Sequence, residues 1–153
     1  MSIQFAFYAE KCTACGACAI ACMDQNDPDV TAGQQPYRRV YVEERDGQRS
    51  YISTACRHCT DAPCAAACPV GCLTKDEKTG LTCMDGKSCI GCRACAAACP
   101  YGAPTFRPVE GAGGRVKMEK CHGCLSRIEA GLAPACVHSC PTGALTVSWT
   151  ESE

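Results

Sequence analysis

The chain has 153 residues, a formal net charge of −1 and 18 cysteines, a length that fits one compact unit or two small halves. Leu, Ile, Val and Phe number only 21, about 14% of the chain and below the roughly 20% at which a chain of high net charge is disordered; the low charge argues against disorder, so something other than aliphatic side chains must fill the interior. No run of about 18 apolar residues is present, and the basic residues form no stripe with interleaved aromatics, which argues against a membrane span and against nucleic-acid binding.

In chain order, MSIQFAFYAEKC alternates like a strand over Ile3 to Tyr8. It has no basic n-region, no long apolar stretch, no twin arginine and no small-residue cleavage site, and is not read as an export signal. It leads into CTACGACAIAC, the first of four cysteine motifs, with Cys12, Cys15, Cys18 and Cys22. Tyr37 to Glu43 and Ser50 to Thr54 are strand-like, and RDGQ places Asp46 and Gly47 in a hairpin turn between them. The second motif, CRHCTDAPCAAACP, carries Cys56, Cys59, Cys64 and Cys68, and its extra residues with Pro63 read as a small loop. VGCLTKDEKTGLTCMDGKSC follows as two short strands around a charged loop; its Cys72 and Cys83 fall outside the motif spacing and are expected to pack as small apolar residues. The third motif, CIGCRACAAACP, contains Cys89, Cys92, Cys95 and Cys99. The Gly- and Pro-rich stretch YGAPTFRPVEGAGGRVKMEK reads as a plain linker or a loop ordered by a partner. The fourth motif, CHGCLSRIEAGLAPACVHSCP, supplies Cys121, Cys124, Cys136 and Cys140, with room for about two helical turns ended by Gly131 and Pro134. Ala144 to Trp149 closes as a strand.

The third motif decides the chemistry. CxxCxxCxxxCP is the ligand run of bacterial [4Fe-4S] ferredoxins, in which three cysteines hold one cluster and the fourth crosses to a companion. Gly91 admits a tight turn near the sulfurs. Three alanines between Cys95 and Cys99 favour a short helix that sets these cysteines roughly 6 Å apart along its axis, and Pro100 stops it. Four such motifs supply sixteen ligands, enough for four [4Fe-4S] clusters. A disulfide scaffold fits poorly with cytosolic synthesis, and CxxCxxCxxxCP crowds too many thiolates for separate tetrahedral zinc sites. Ligation free energy would double as folding free energy. His58, His122 and His138 lie in or beside the motifs and read first as solvated or backbone-bonded side chains; Lys11, Arg57, Lys87, Arg93 and Lys120 flank the cysteines and read as compensation for the negative charge of the clusters.

The order of spacings, from CxxCxxCxxxC through CxxCx4CxxxCP and CxxCxxCxxxCP to CxxCx11CxxxCP, resembles the four-cluster electron-transfer subunits of the dimethyl sulfoxide reductase family. The likeness runs from residue 3 to 148 and includes FAFYAEKCTACGAC and CRHCTDAPC. It implies a non-catalytic subunit that relays electrons between a large molybdenum or tungsten bis-pterin subunit and a second redox partner, such as a membrane anchor, a flavoprotein or a ferredoxin. The alternative is a free soluble polyferredoxin serving several enzymes. The chain departs from longer members by ending soon after the fourth motif, and has Cys92 where the similar nitrate reductase β subunits carry a tryptophan, so every site is expected to be a cubane. A cytoplasmic location is expected, with export only alongside a partner bearing a twin-arginine signal.

The crossing of the fourth cysteine sets the expected pairing. The short connection between motifs two and three joins them in one half, with Cys56, Cys59, Cys64 and Cys99 on one cluster and Cys89, Cys92, Cys95 and Cys68 on the other. Motifs one and four then pair, as Cys12, Cys15, Cys18 and Cys140, and as Cys121, Cys124, Cys136 and Cys22. The resemblance implies the same scheme; pairing one with two and three with four is the alternative. The expected fold is α+β: two ferredoxin-like halves with short helices and small antiparallel sheets, their interior filled by clusters. One half is 1–30 plus 110–153, and the other is 31–109 with a hairpin insertion. No nucleophile elbow, phosphate loop or dinucleotide fingerprint is found.

Overall fold

The computed structural model describes residues 2–109, 111 and 113–150. It is a ferredoxin-type α+β structure of short helices and two-stranded sheets, and its residues fall into two compact units.

The first unit contains Cys56–His122 together with the described residues at the chain's extremities, Ser2, Ile3 and Thr150. Helix α2, Pro63–Ala66, has Pro63 at its start, where a missing N–H costs nothing; the four residues between Cys59 and Cys64 are thus partly a helix start and not only a loop. Strands β4, Leu73–Lys75, and β5, Thr82–Met84, pair antiparallel as the sequence suggests. Helix α3, Ala94–Ala98, fills the alanine-rich stretch and stops with Cys99 in an extended conformation.

The Gly- and Pro-rich segment departs from the expected linker. Thr105–Pro108 and Val116–Glu119 form β6 and β7, which pair antiparallel. The reason is a period-2 pattern hidden among the glycines: Phe106 lies opposite Met118, and both pack with Cys64, Cys72, Leu73, Cys89 and Cys95. Arg107 and Glu119 close the ladder with an ion pair of 2.6 Å.

The second unit contains Gln4–Ala55 and Gly123–Trp149. Strand β1, Ser2–Phe7, pairs with β8, Leu145–Thr150, and a 3-10 turn, Ala9–Lys11, leads into the first motif. Helix α1, Ala17–Asn26, packs against α5, Ala135–His138, while α4, Leu125–Glu129, occupies the expected helical stretch of the fourth motif. Strands β2, Arg39–Arg45, and β3, Gln48–Thr54, form a hairpin whose register pairs Arg45 with Gln48. Asp46 and Gly47 both have positive φ, 54° and 74°, as a two-residue turn of matching twist requires.

This division places 31–55 with motif one, not with motifs two and three, and 113–122 with the middle motifs. The packing explains both shifts: Val40 of β2 rests on Cys18, Cys136 and Leu145, and Met118 of β7 is 1% exposed in the other unit's core.

The loop around Gly91 is the tightest passage in the first unit. Its φ is +72°, and a Cβ there would stand 2.3 Å from the Val116 carbonyl oxygen and 3.1 Å from Val116 Cγ2. Gly16 has φ +79° with nothing within 4 Å of its Cβ position. Gly91→Ala therefore has to push β7 off the ligand loop and should cost about 1–3 kcal/mol beyond the backbone strain, whereas Gly16→Ala should cost only that strain, about 1 kcal/mol. Denaturant midpoints of the two holoprotein variants check the difference, and equal losses would contradict the close approach.

Candidate metal centres

The four cysteine motifs share a backbone signature that the spacing alone does not display. The residue before the second cysteine is left-handed in every one: Ala14 at φ 53°, His58 at 49°, Gly91 at 72° and Gly123 at 73°. A second left-handed residue then starts each short helix, at Gly16, Ala62, Arg93 and Cys124. Non-glycine residues in this region cost about 1–3 kcal/mol each and persist where surrounding structure demands them. In the first motif the reversal turns the Ala14 N–H toward Cys12 Sγ at 3.5 Å, as in an anion nest.

Two cavities collect thiols from different motifs. The first is lined by Cys12, Cys15 and Cys18 of motif one and by Cys140 of motif four, with Phe7, Val40, Ser53 and Leu145 among its walls. The second is lined by Cys89, Cys92 and Cys95 of motif three and by Cys68 of motif two, with Cys72, Phe106 and Met118 beside them. Among the described residues no three His, Cys, Asp or Glu side chains converge where a single ion could bind, whereas tetrahedral zinc needs its sulfurs about 2.3 Å from a shared centre. The donor set and spacing fit a polynuclear cluster, which spreads four thiolates over four irons.

The other predicted ligands group less completely. Cys56 and Cys99 are both close enough for their charges to act on Cys64, and Cys59 belongs to the same unit. Cys22, Cys124 and Cys136 likewise interact within the second unit, while Cys121 belongs to the first-unit segment that ends at His122.

Electrostatics set Cys68 and Cys140, two of the cysteines expected to cross between motifs, apart from the buried thiols. Burial pushes the thiols of Cys18, Cys22, Cys64, Cys95 and Cys124 up, so without a metal these groups keep their protons. At Cys68 burial acts in the same sense but is outweighed by hydrogen bonds from the Cys72 side chain and from the backbone of Val70, Cys72 and Leu73, and the thiol is held below its ordinary value. Cys140 behaves alike, burial being overcome by the backbone of Leu145, the Thr142 side chain and the backbone of Thr142 and Ala144. The turn after each of these crossing cysteines is thus built to receive a thiolate.

The flanking cations have specific seats. Lys11 stands over Tyr8 at 4.8 Å, Arg57 over Tyr101 at 4.5 Å and Arg93 over Phe106 at 4.7 Å. Lys120 is buried, donating to the carbonyls of Thr82 and, at 3.0 Å, Cys121. Lys75 donates to the carbonyls of His58 at 3.0 Å and Cys59 at 3.1 Å. His58 is backbone-bonded: its Nδ1 accepts the Thr82 N–H at 3.1 Å, which requires an unprotonated Nδ1. Burial, then the ammonium groups of Lys120 and Lys75, then His122, hold this imidazole down to about 3. Sequence reading missed the placement of Lys75, Ser53 and Arg38, none of which lies inside a cysteine motif.

Comparison with known proteins agrees with this chemistry. A 4Fe-4S dicluster domain matches residues 47–149 and a 4Fe-4S binding domain matches residues 9–24. The sequence is 38% identical to one of the polypeptides of the anaerobic dimethyl sulfoxide reductase of Escherichia coli (strain K12), over 95% of this protein and 73% of that one. The protein belongs to the family of dimethyl sulfoxide reductase iron-sulfur subunits. Within the same family, it is 37% identical to the thiosulfate reductase electron transfer subunit of Salmonella typhi, over 89% of its own length and 70% of the relative's. It is 31% identical to the arsenate respiratory reductase iron-sulfur subunit of Shewanella sp. (strain ANA-3), over 90% and 77%. Iron-sulfur clusters of the 4Fe-4S type are therefore the cofactors of this family member.

Cys72 and Cys83 remain outside the four sets. Cys72 is 5% exposed and its Sγ is 3.4 Å from Cys68 Sγ; burial, then the hydrogen bond and the charge of Cys68, push its thiol up to about 12, so it stands beside the ligand sulfurs as a neutral thiol. Cys83 pairs with Thr74 across β4 and β5. Replacing both by alanine should leave iron content and every cluster EPR signal in place. Loss of any one signal would make one of them a ligand.

Proposed function

We propose that this protein is a dedicated electron-transfer subunit, without catalytic chemistry of its own, that relays single electrons through four [4Fe-4S] clusters between a large molybdenum or tungsten bis-pterin subunit and a second redox partner. The observation that carries the reading is the composition of the two cavities: in each, three cysteines of one motif meet the last cysteine of another. This supports the ligand sets Cys12, Cys15, Cys18, Cys140 and Cys89, Cys92, Cys95, Cys68. The same crossing rule extends them to Cys56, Cys59, Cys64, Cys99 and to Cys121, Cys124, Cys136, Cys22.

When bound, a [4Fe-4S] cluster supplies a one-electron couple whose potential follows hydrogen bonds to its sulfurs, net charge and solvent exposure. The protein's own residues set those terms. The N–H groups of Ala14 and Met118 reach the Cys12 and Cys89 sulfurs, the alanine-rich helices admit close packing, and the seated cations lessen a field of roughly −2 per oxidised cluster. The relatives are named for dimethyl sulfoxide, thiosulfate and arsenate reductases. One subunit type serving three substrates supports a part that carries electrons and leaves recognition to a partner. That partner is the large pterin subunit, and the second is a membrane anchor, a flavoprotein or a ferredoxin. Among the described residues no helix is long and apolar enough to cross a membrane.

Anaerobic purification tests the proposal. A stoichiometric complex with a large subunit, carrying about 16 iron and 16 acid-labile sulfide per copy of this protein in addition to the partner's own, is the expected result. Values near 8 for this subunit would remove half of the ligand sets. A free monomer that reduces several unrelated enzymes would replace the subunit reading with that of a soluble polyferredoxin.

A further inference from the structure

The β2–β3 hairpin brings a polar chain of side chains into the cysteine core of the second unit. Ser53, at the inner end of β3, has its Oγ 3.4 Å from Cys18 Sγ. Arg38 Nη1 donates to the same Oγ at 3.1 Å and to the Ser53 carbonyl at 3.4 Å. A guanidinium only donates and a hydroxyl has one proton. The Ser53 oxygen accepts from Arg38 and its one proton stays available; an iron-bound Cys18 thiolate has no proton to give, so in the loaded protein Ser53 is the donor to the sulfur.

Burial gives this relay its weight. Arg38 and Ser53 are each 6% exposed and Cys18 is 8% exposed. The Arg38 Nε has no hydrogen-bond partner among the described residues, and neither ion pair found among them involves Arg38. A buried cation without a carboxylate is costly unless another anion faces it. Its positive charge acts on the thiols of Cys18 and Cys22.

We propose that Arg38 and Ser53 form a charge-backed hydrogen-bond relay onto the Cys18 sulfur that raises the reduction potential of the cluster held by Cys12, Cys15, Cys18 and Cys140. The inference rests on that ligand set. One-electron reduction adds a negative charge to the cluster, so a donor and a cation at its sulfur stabilise the reduced form more than the oxidised one. Ser53 acts by direct contact with the ligand sulfur, and Arg38 is a positioning residue acting through it. The hairpin that separates motif one from motif two is in this account a tuning element for the cluster of motifs one and four.

The test is a potentiometric titration followed by EPR on the purified complex, with the relevant signal identified as the one missing from a Cys15→Ser variant. In Ser53→Ala the reduced-to-oxidised ratio at the parent midpoint should fall about tenfold, which for one electron is a shift of about 59 mV downward. Ser53→Thr, which keeps the hydroxyl, should stay near the parent value. Arg38→Gln should lower the midpoint as well, and the double variant should fall by less than the two single shifts added. If Ser53→Ala fails to load the cluster, Arg38→Gln decides on the same readout. A midpoint unchanged in a fully loaded Ser53→Ala or Arg38→Gln overturns the relay while leaving the ligand set standing. Parent protein in which Cys15→Ser removes no signal overturns the ligand set and the relay together.

Discussion

A thiolate is stable inside a protein only where its charge is shared, and this fold buries cysteines where most folds bury leucine and valine. The cores of both units are assembled around them. Cys64, Cys72, Cys89 and Cys95 share one with Leu73 and Met118, and Cys18 and Cys136 share the other with Leu145. Hydrogen bonds outweigh burial at Cys68 and Cys140, whereas burial keeps Cys18, Cys22, Cys64, Cys95 and Cys124 protonated until a metal displaces the proton. The left-handed residues, the alanine helices and the seated cations are all understandable as consequences of meeting that demand four times in one polypeptide.

The same demand orders the peripheral elements. Strand β7 is held against the third motif, where the Met118 N–H donates to Cys89 Sγ at 3.4 Å. The β2–β3 hairpin lays Val40 and Ser53, which are cross-strand partners, on the wall of the first cavity. Neither hairpin is a spacer between motifs. Each sets a hydrogen-bonding group against a motif cysteine, and each belongs to the unit whose thiols it contacts, which is why the division of the protein follows side-chain contacts and cuts across the linear order of motifs.

Much of this was legible in the residues. The spacing of the cysteines named the chemistry, Asp46 and Gly47 announced a turn, and the alternation in Ile3 to Tyr8 and Ala144 to Trp149 located the strands to within a residue at each end. What stayed hidden depends on contacts far apart in sequence. The period-2 pattern of β6 and β7 is broken up by Gly and Pro, so composition outweighed periodicity until Phe106 and Met118 were seen in one core. Ser53 and Arg38 resemble any serine in a strand and any arginine before one; only the fold carries them 35 and 20 positions back to Cys18. Whether a hairpin inserted between two motifs belongs to the earlier or the later one is also a matter of packing.

The central claim is that ligation and folding are one equilibrium, because a protein with so few aliphatic residues cannot assemble these cores from thiols alone. Anaerobic removal of iron and sulfide from the isolated protein, followed by circular dichroism and calorimetry under reducing conditions, tests it most directly. The account predicts an apoprotein without a cooperative thermal transition that regains one when clusters are reconstituted. An iron-free sample with native-like near-ultraviolet dichroism and a single sharp unfolding transition would contradict it.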